Sequence, residues 1–132
     1  MFAKAFSAEQ FKFETLEIEI VNNGKFIYAK EGKALSADGN LEIEAANFEY
    51  DKNLKILKAF NGYAFYRNNS LKIDFDEMIF DQNSSILTAK ENVKIYEQQK
   101  DLLIETDLIV YDKKINTIMS LTKSILKDSL NN

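Results

Sequence analysis

A self-similar pattern with a period of about thirty residues runs through nearly the whole chain and restricts the fold more than any other feature. With Phe11, Leu41, Leu71 and Leu102 as equivalent starts, the spacings are 30, 30 and 31 residues. A second apolar column follows at Phe13, Ile43, Ile73 and Ile104. Then come Ile18, Phe48, Met78 and Ile109, and after them Ile20, Tyr50, Phe80 and Tyr111. Beyond a polar turn the columns resume as Ile27, Leu57, Leu87 and Ile118, followed by Ala29, Ala59, Ala89 and Ser120. The last column reads Leu35, Phe65, Ile95 and Leu126. The turns recur as well. Asp51-Lys52-Asn53, Asp81-Gln82-Asn83 and Asp112-Lys113-Lys114 each open with an Asp, whose short side chain favours turn geometry. The first repeat departs with Val21-Asn22-Asn23-Gly24, as end repeats commonly do.

Within each repeat the apolar period is 2, as half-buried strands require. Leu41-Glu42-Ile43-Glu44-Ala45 alternates cleanly, and the parity then switches before Phe48-Glu49-Tyr50. The same slip falls between Ile73 and Met78 and between Ile104 and Ile109, with Asp76 and Asp107 at the slip itself. A parity change at one recurring place predicts a bulge or sharp bend. Gly32, Gly62 and Asn92 lie opposite it in the following strand, and each residue type tolerates an unusual backbone conformation. Each repeat therefore reads as two long strands joined by a turn, with a bend midway along both. Four stacked hairpins fold into two facing sheets, about 35–40 Å along the stack at strand spacing. One long side stays open, so the inward columns are expected to line a groove.

Composition agrees. The chain of 132 residues has ten Phe and six Tyr, no Pro and four Gly, which suits uninterrupted ladders. Cys and His are both absent, which removes disulfides, thiol nucleophiles, imidazole acid–base chemistry and Cys/His metal sites. A net charge of −4 with interspersed signs argues against nucleic acid as a partner. The carboxylates alternate with apolar residues, as Glu42, Glu44 and Glu49 do, and read as a solvated sheet face rather than as acid–base catalysts. Asp74, Asp76, Glu77 and Asp81 lack the spacing of a Ca²⁺ loop. No catalytic motif is present, and neither an enzymatic activity nor a cofactor is expected. Residues 1–10, with Ala3, Ala5 and Ala8, read either as a leader or signal remnant or as an unstructured start. Residues 11–130 read as one repeat domain.

Leu41-Glu42-Ile43-Glu44-Ala45-Ala46-Asn47-Phe48-Glu49-Tyr50-Asp51 and Thr88-Ala89-Lys90-Glu91-Asn92-Val93-Lys94-Ile95 resemble the OstA-like repeat, and the resemblance covers about residues 11–127. The family's Gly-Asn-Val corner is represented only by Glu91-Asn92-Val93 and Asn61-Gly62-Tyr63. The resemblance implies an all-β fold, a β-jelly roll open along one seam (a β-taco), and lipopolysaccharide transport across the periplasm to the outer membrane. Within the family, the N-terminal domain of the outer-membrane assembly protein is the best match, and the free periplasmic bridge protein is the nearest alternative.

By pattern alone, the inward stripes fill a sandwich core. The resemblance implies instead that they also hold acyl chains. The groove residues would then be Phe13, Ile18, Ile20, Ile43, Phe48, Tyr50, Leu57, Phe65, Ile73, Met78, Phe80, Leu87, Ile95, Ile104, Ile109 and Tyr111. Lys33, Lys94 and Lys123 near the corner are candidates to meet phosphates. Partners implied are lipopolysaccharide, other β-taco transport proteins joined end to end through open sheet edges, and an outer-membrane barrel. The competing readings are a structural β-solenoid or adhesin-like scaffold with a filled core, and a general binder of hydrophobic ligands.

Overall fold

The computed structural model describes residues 11–128, so the leader assignment to residues 1–10 lies outside the described residues. Nine strands form a single antiparallel sheet: β1 (Lys12–Val21), β2 (Phe26–Leu35), β3 (Leu41–Asp51), β4 (Ile56–Tyr66), β5 (Leu71–Asp81), β6 (Ile86–Glu97), β7 (Leu102–Asp112), β8 (Thr117–Ser120) and β9 (Ile125–Asp128). From β1 to β8 every strand pairs with its sequence neighbour, and β9 pairs with β7 beside β8. Thus β8 and β9 share one strand position, interrupted at residues 121–124. The four expected hairpins are present, the last with a broken second strand.

The bend falls where the parity slips. Thr15 pairs with Gly32 and Glu17 with Lys30, which leaves Leu16 and Glu31 out of the ladder between them. Ala46 and Asn61 are skipped in the same way between β3 and β4. The even strands turn this corner with residues in the left-handed region: Glu31 (φ 55°), Asn61 (φ 59°), Glu91 (φ 64°) and Asn92 (φ 53°). Such a conformation costs a non-glycine residue about 1–2 kcal/mol, so the surrounding ladders must hold it.

The glycines at the corner serve a purpose other than the expected one. At Gly32 and Gly62 the left-handed residue is the one before, and the glycine permits close approach instead. A Cβ on Gly62 would overlap the Glu44 carbonyl oxygen and lie 2.7 Å from the Ala45 Cα. Gly32 meets the Glu14 carbonyl and the Thr15 Cα in the same manner. Strand β6 has no such glycine. It inserts one extra residue, so the register shifts against both β5 and β7. Asn92 takes the left-handed conformation there, and its Nδ2 donates to Asp76 Oδ2 at 2.7 Å.

The bend divides the sheet into two leaves. Leaf one holds residues 11–15, 32–45, 62–75, 93–106 and 125–128, and leaf two holds 17–30, 47–60, 77–90 and 108–120. The leaves fold face to face, as cross-leaf rings demonstrate. Phe13 meets Phe48 edge-on at 5.8 Å between centroids, and Tyr66 meets Tyr111 at 4.9 Å. Ile43 and Ile73 of leaf one and Leu57, Met78, Leu87 and Ile109 of leaf two are fully buried between them. Each such side chain contributes about 1.5–3 kcal/mol relative to an exposed one.

The turns stack as the strands do. Asp51 Oδ1 accepts the backbone N–H of Asn53 at 2.9 Å and of Leu54 at 3.0 Å. Asp81 caps Asn83 and Asp112 caps Lys114 in the same way. Successive turns are then bonded to each other, with Lys52 N–H donating to Lys25 O and Gln82 N–H to Lys55 O, both at 2.9 Å. On the other row, Arg67 N–H donates to Asn40 O at 2.9 Å. The Ser36 hydroxyl and the Asn40 N–H both donate to Asp38 Oδ1, and these bonds hold its carboxyl below the usual carboxylate range.

Candidate functional site

Most of the inward columns meet in one apolar interior. Ile43, Leu57, Ile73, Met78 and Leu87 have no exposure, and Phe48, Tyr50, Ile95, Ile109 and Tyr111 retain at most 3%. Phe80 is 8% exposed, while Phe13 and Ile104 pack partly buried against this core. The interior is filled rather than grooved. Alanines near the spine (Ala29, Ala34, Ala59, Ala64 and Ala89) allow the leaves to close, and larger rings bridge the mouth. Phe11 packs edge-on to Tyr50 and Phe80 at 5.9 Å each, and the Tyr50 hydroxyl donates to Gln82 Oε1. The expected open seam is thus closed by aromatic contacts. A cavity of about 230 Å³ remains along it, bounded by Phe11, Asp38, Phe80 and Gln82.

Phe65 stands apart from the other candidates. It lies on the outer face between the buried Ala64 and Tyr66, pairing in register with Glu42 and Lys72. The row that faces inward is Ala34, Ala64, Ile95 and Leu126, as shown by the pairing of Ile43 with Ala34 and Ala64, and of Ile73 with Ala64 and Ile95. The extra residue in β6 displaces this row by one position relative to the even thirty-residue spacing.

Among the described residues, side chains of the interior rows are exposed at the ends of the stack, and not symmetrically. Ile18 (52% exposed) and Ile20 (60%) belong to leaf two at the β1 end, whereas Leu126 (65%) belongs to leaf one at the β9 end. On the opposite leaf at each end, Phe13 and Ile118 are partly covered. The cause is a stagger between leaves. Phe11 reaches Phe80, two repeats further on, and Asn69 at the end of repeat two bonds the Tyr111 hydroxyl at 3.1 Å. One leaf therefore overhangs at each end, and the two overhangs have complementary faces.

The mouth also carries polar groups. Tyr111 OH accepts from Asn69 Nδ2 and donates to Asn116 Oδ1 at 3.0 Å. Burial pushes its pKa up, and the Glu97 charge adds to that while the Asn69 bond opposes it. Burial pushes the Tyr66 phenol up more strongly. Tyr66 and Glu97 were not among the sequence candidates. For Tyr66 the available signal was the Ala64-Phe65-Tyr66 alternation, which leaves the choice of face to the register. Glu97 follows the inward Val93 and Ile95 at period 2. The lysines proposed for phosphate contact lie elsewhere. Lys33 and Lys94 flank the bend on the outer face, and Lys33 Nζ is 3.6 Å from Glu42 Oε2. Lys123 sits in the break between β8 and β9, along the same spine. All three are on the long side away from the mouth.

A bent antiparallel meander with an apolar interior and a seam along one side defines an OstA-like β-jelly roll of the LptA type. LptH of Pseudomonas aeruginosa, the LptA-homologous periplasmic component of the conserved lipopolysaccharide transport device, has a crystal structure that matches this chain with a TM-score of 0.76. The match covers 92% of this chain and 96% of that one at 11% identity, and so establishes the shared fold. No protein-family model matches the chain. No curated protein matches it either.

Proposed function

We propose that this protein is a non-enzymatic periplasmic carrier module that holds the acyl chains of lipopolysaccharide between its two leaves and hands them along toward the outer membrane. The observation that carries the reading is the uninterrupted apolar interior running the length of the stack, its rows exposed at both ends among the described residues, on a fold shared with a lipopolysaccharide-transport component. Acyl chains entering it gain about 0.8 kcal/mol per buried CH₂. That gain must offset the parting of the leaves, because the middle of the interior is filled. No charged contact is required for it, consistent with a net-acidic protein handling an anionic glycolipid. In this reading the outer-membrane barrel of the transport route receives the lipid.

Photo-crosslinkers placed at Phe48, Met78 and Ile109 test the reading in membranes containing labelled lipopolysaccharide. Adducts are expected at all three and not at the outward-facing Lys58. The filled middle favours a second reading, a structural scaffold that binds no lipid. An absence of adducts from every inward position selects that scaffold.

The staggered ends supply the partner surface. Leaf two overhangs at β1 and leaf one at β9, so copies or homologous modules joined end to end would cover both overhangs and continue the interior. The edge of β1 presents a ten-residue row of backbone groups for pairing. Ile20→Glu and Leu126→Glu alter side chains that are already more than half exposed, so both variants should fold. Each is expected to lower self-association or association with a β-taco partner at least tenfold, measured by light scattering or sedimentation. Association unchanged in both would overturn end-to-end joining.

A further inference from the structure

The mouth contains polar atoms that the fold does not need. Tyr66 has no exposure, its ring lies edge-on to Tyr111, and its hydroxyl has no hydrogen-bond partner among the described residues. Glu97 lies in the inward row next to the mouth, paired in register with Leu71 on one side and Leu102 on the other, and its buried Oε1 also lacks a partner. Asn69 uses its Nδ2 on Tyr111, which leaves Oδ1 buried and unpaired. A buried polar atom without a partner costs stability, and replacing it by an apolar group would remove that cost. Three such atoms around one aromatic pair, at the end of an otherwise apolar row, point to a ligand that completes them.

Their chemistry defines that ligand. Glu97 Oε1 and Asn69 Oδ1 can only accept, and the Tyr66 hydroxyl can do either. Asn40 Nδ2, buried and unpaired in the adjoining turn, is a donor. The group they complement is therefore rich in hydrogen-bond donors and also accepts, as a sugar hydroxyl does, and the carboxylate disfavours an anion. We propose that Tyr66, Asn69 and Glu97 form a seam subsite for the hydroxyl and amide N–H groups of a sugar whose acyl chains lie between the leaves. The subsite rests on the carrier reading above and adds to it a headgroup preference for glycan over phosphate. It also places the sugar at the mouth, on the opposite side from the lysines of the spine.

The test compares two lipids with the same acyl chains: an acylated glucosamine glycolipid, rich in donors, and a phosphatidylcholine, whose headgroup has none. Binding is measured for the whole protein and for Tyr66→Phe and Glu97→Gln. Each variant is expected to weaken glycolipid binding about three- to tenfold while leaving phosphatidylcholine binding within twofold. The lipid-free melting temperature of Tyr66→Phe should equal or exceed that of the unaltered protein, which a hydroxyl with a structural role would not allow. Glycolipid affinity unchanged in both variants, or equal losses on both lipids, overturns the subsite and leaves the carrier reading standing. If the unaltered protein binds neither lipid, the carrier reading fails and the subsite with it.

Discussion

Met78→Ala is expected to cost about 2–5 kcal/mol of folding free energy in the lipid-free protein. Met78 is fully buried in leaf two between Ala59 and Ala89, its register partners on β4 and β6. Neither alanine can extend into the space vacated, so the cavity should persist. Urea unfolding with and without lipid distinguishes the two readings of the interior. A ligand that occupies the interior and binds only the folded state restores stability by an amount that grows with the logarithm of its concentration above Kd. Recovery of part of the loss in excess lipid is the outcome expected of a carrier. The same loss with no recovery is the behaviour of a filled scaffold.

Gly62→Ala is expected to destabilise by about 3 kcal/mol, because the added Cβ would meet backbone rather than a movable side chain. The Glu44 carbonyl and the Ala45 Cα belong to the bend of the neighbouring strand, so relief requires the spine itself to shift. Gly39→Ala is the informative comparison. Its loop leaves open space around the site, and only the left-handed φ of 76° is penalised, at about 1–2 kcal/mol. Guanidinium midpoints for the two variants therefore separate close packing at the spine from backbone strain in a loop. Equal losses would remove the packing role assigned to Gly62.

The columns were legible because an inward residue at period 2 must be apolar in every repeat, and four repeats average out local exceptions. The Asp turns were legible for a similar reason, since capping needs only residues two or three positions away. Lys33, Lys94 and Lys123 show the limit of such reading. Sequence placed them near the corner, but whether the corner is the mouth or the spine depends on how the halves fold together. The glycines show another limit. Gly32 and Gly62 stand at the bend as expected, yet what they permit is contact with a strand some seventeen residues earlier, invisible to local conformational preference.

What the amino-acid sequence determined alone is the thirty-residue repeat: bent β-hairpins, the turns that join them, and the apolar rows that must be hidden. Those depend on alternation and turn chemistry, which act over a few residues. Tertiary structure decided which of Phe65 and Tyr66 faces inward, because one extra residue in β6 alters the spacing of that row. It also decided that the seam is shut by rings from opposite leaves and that each leaf overhangs at one end. These features arise from the crossing of two leaves two repeats apart in sequence, and no thirty-residue unit contains the information for them.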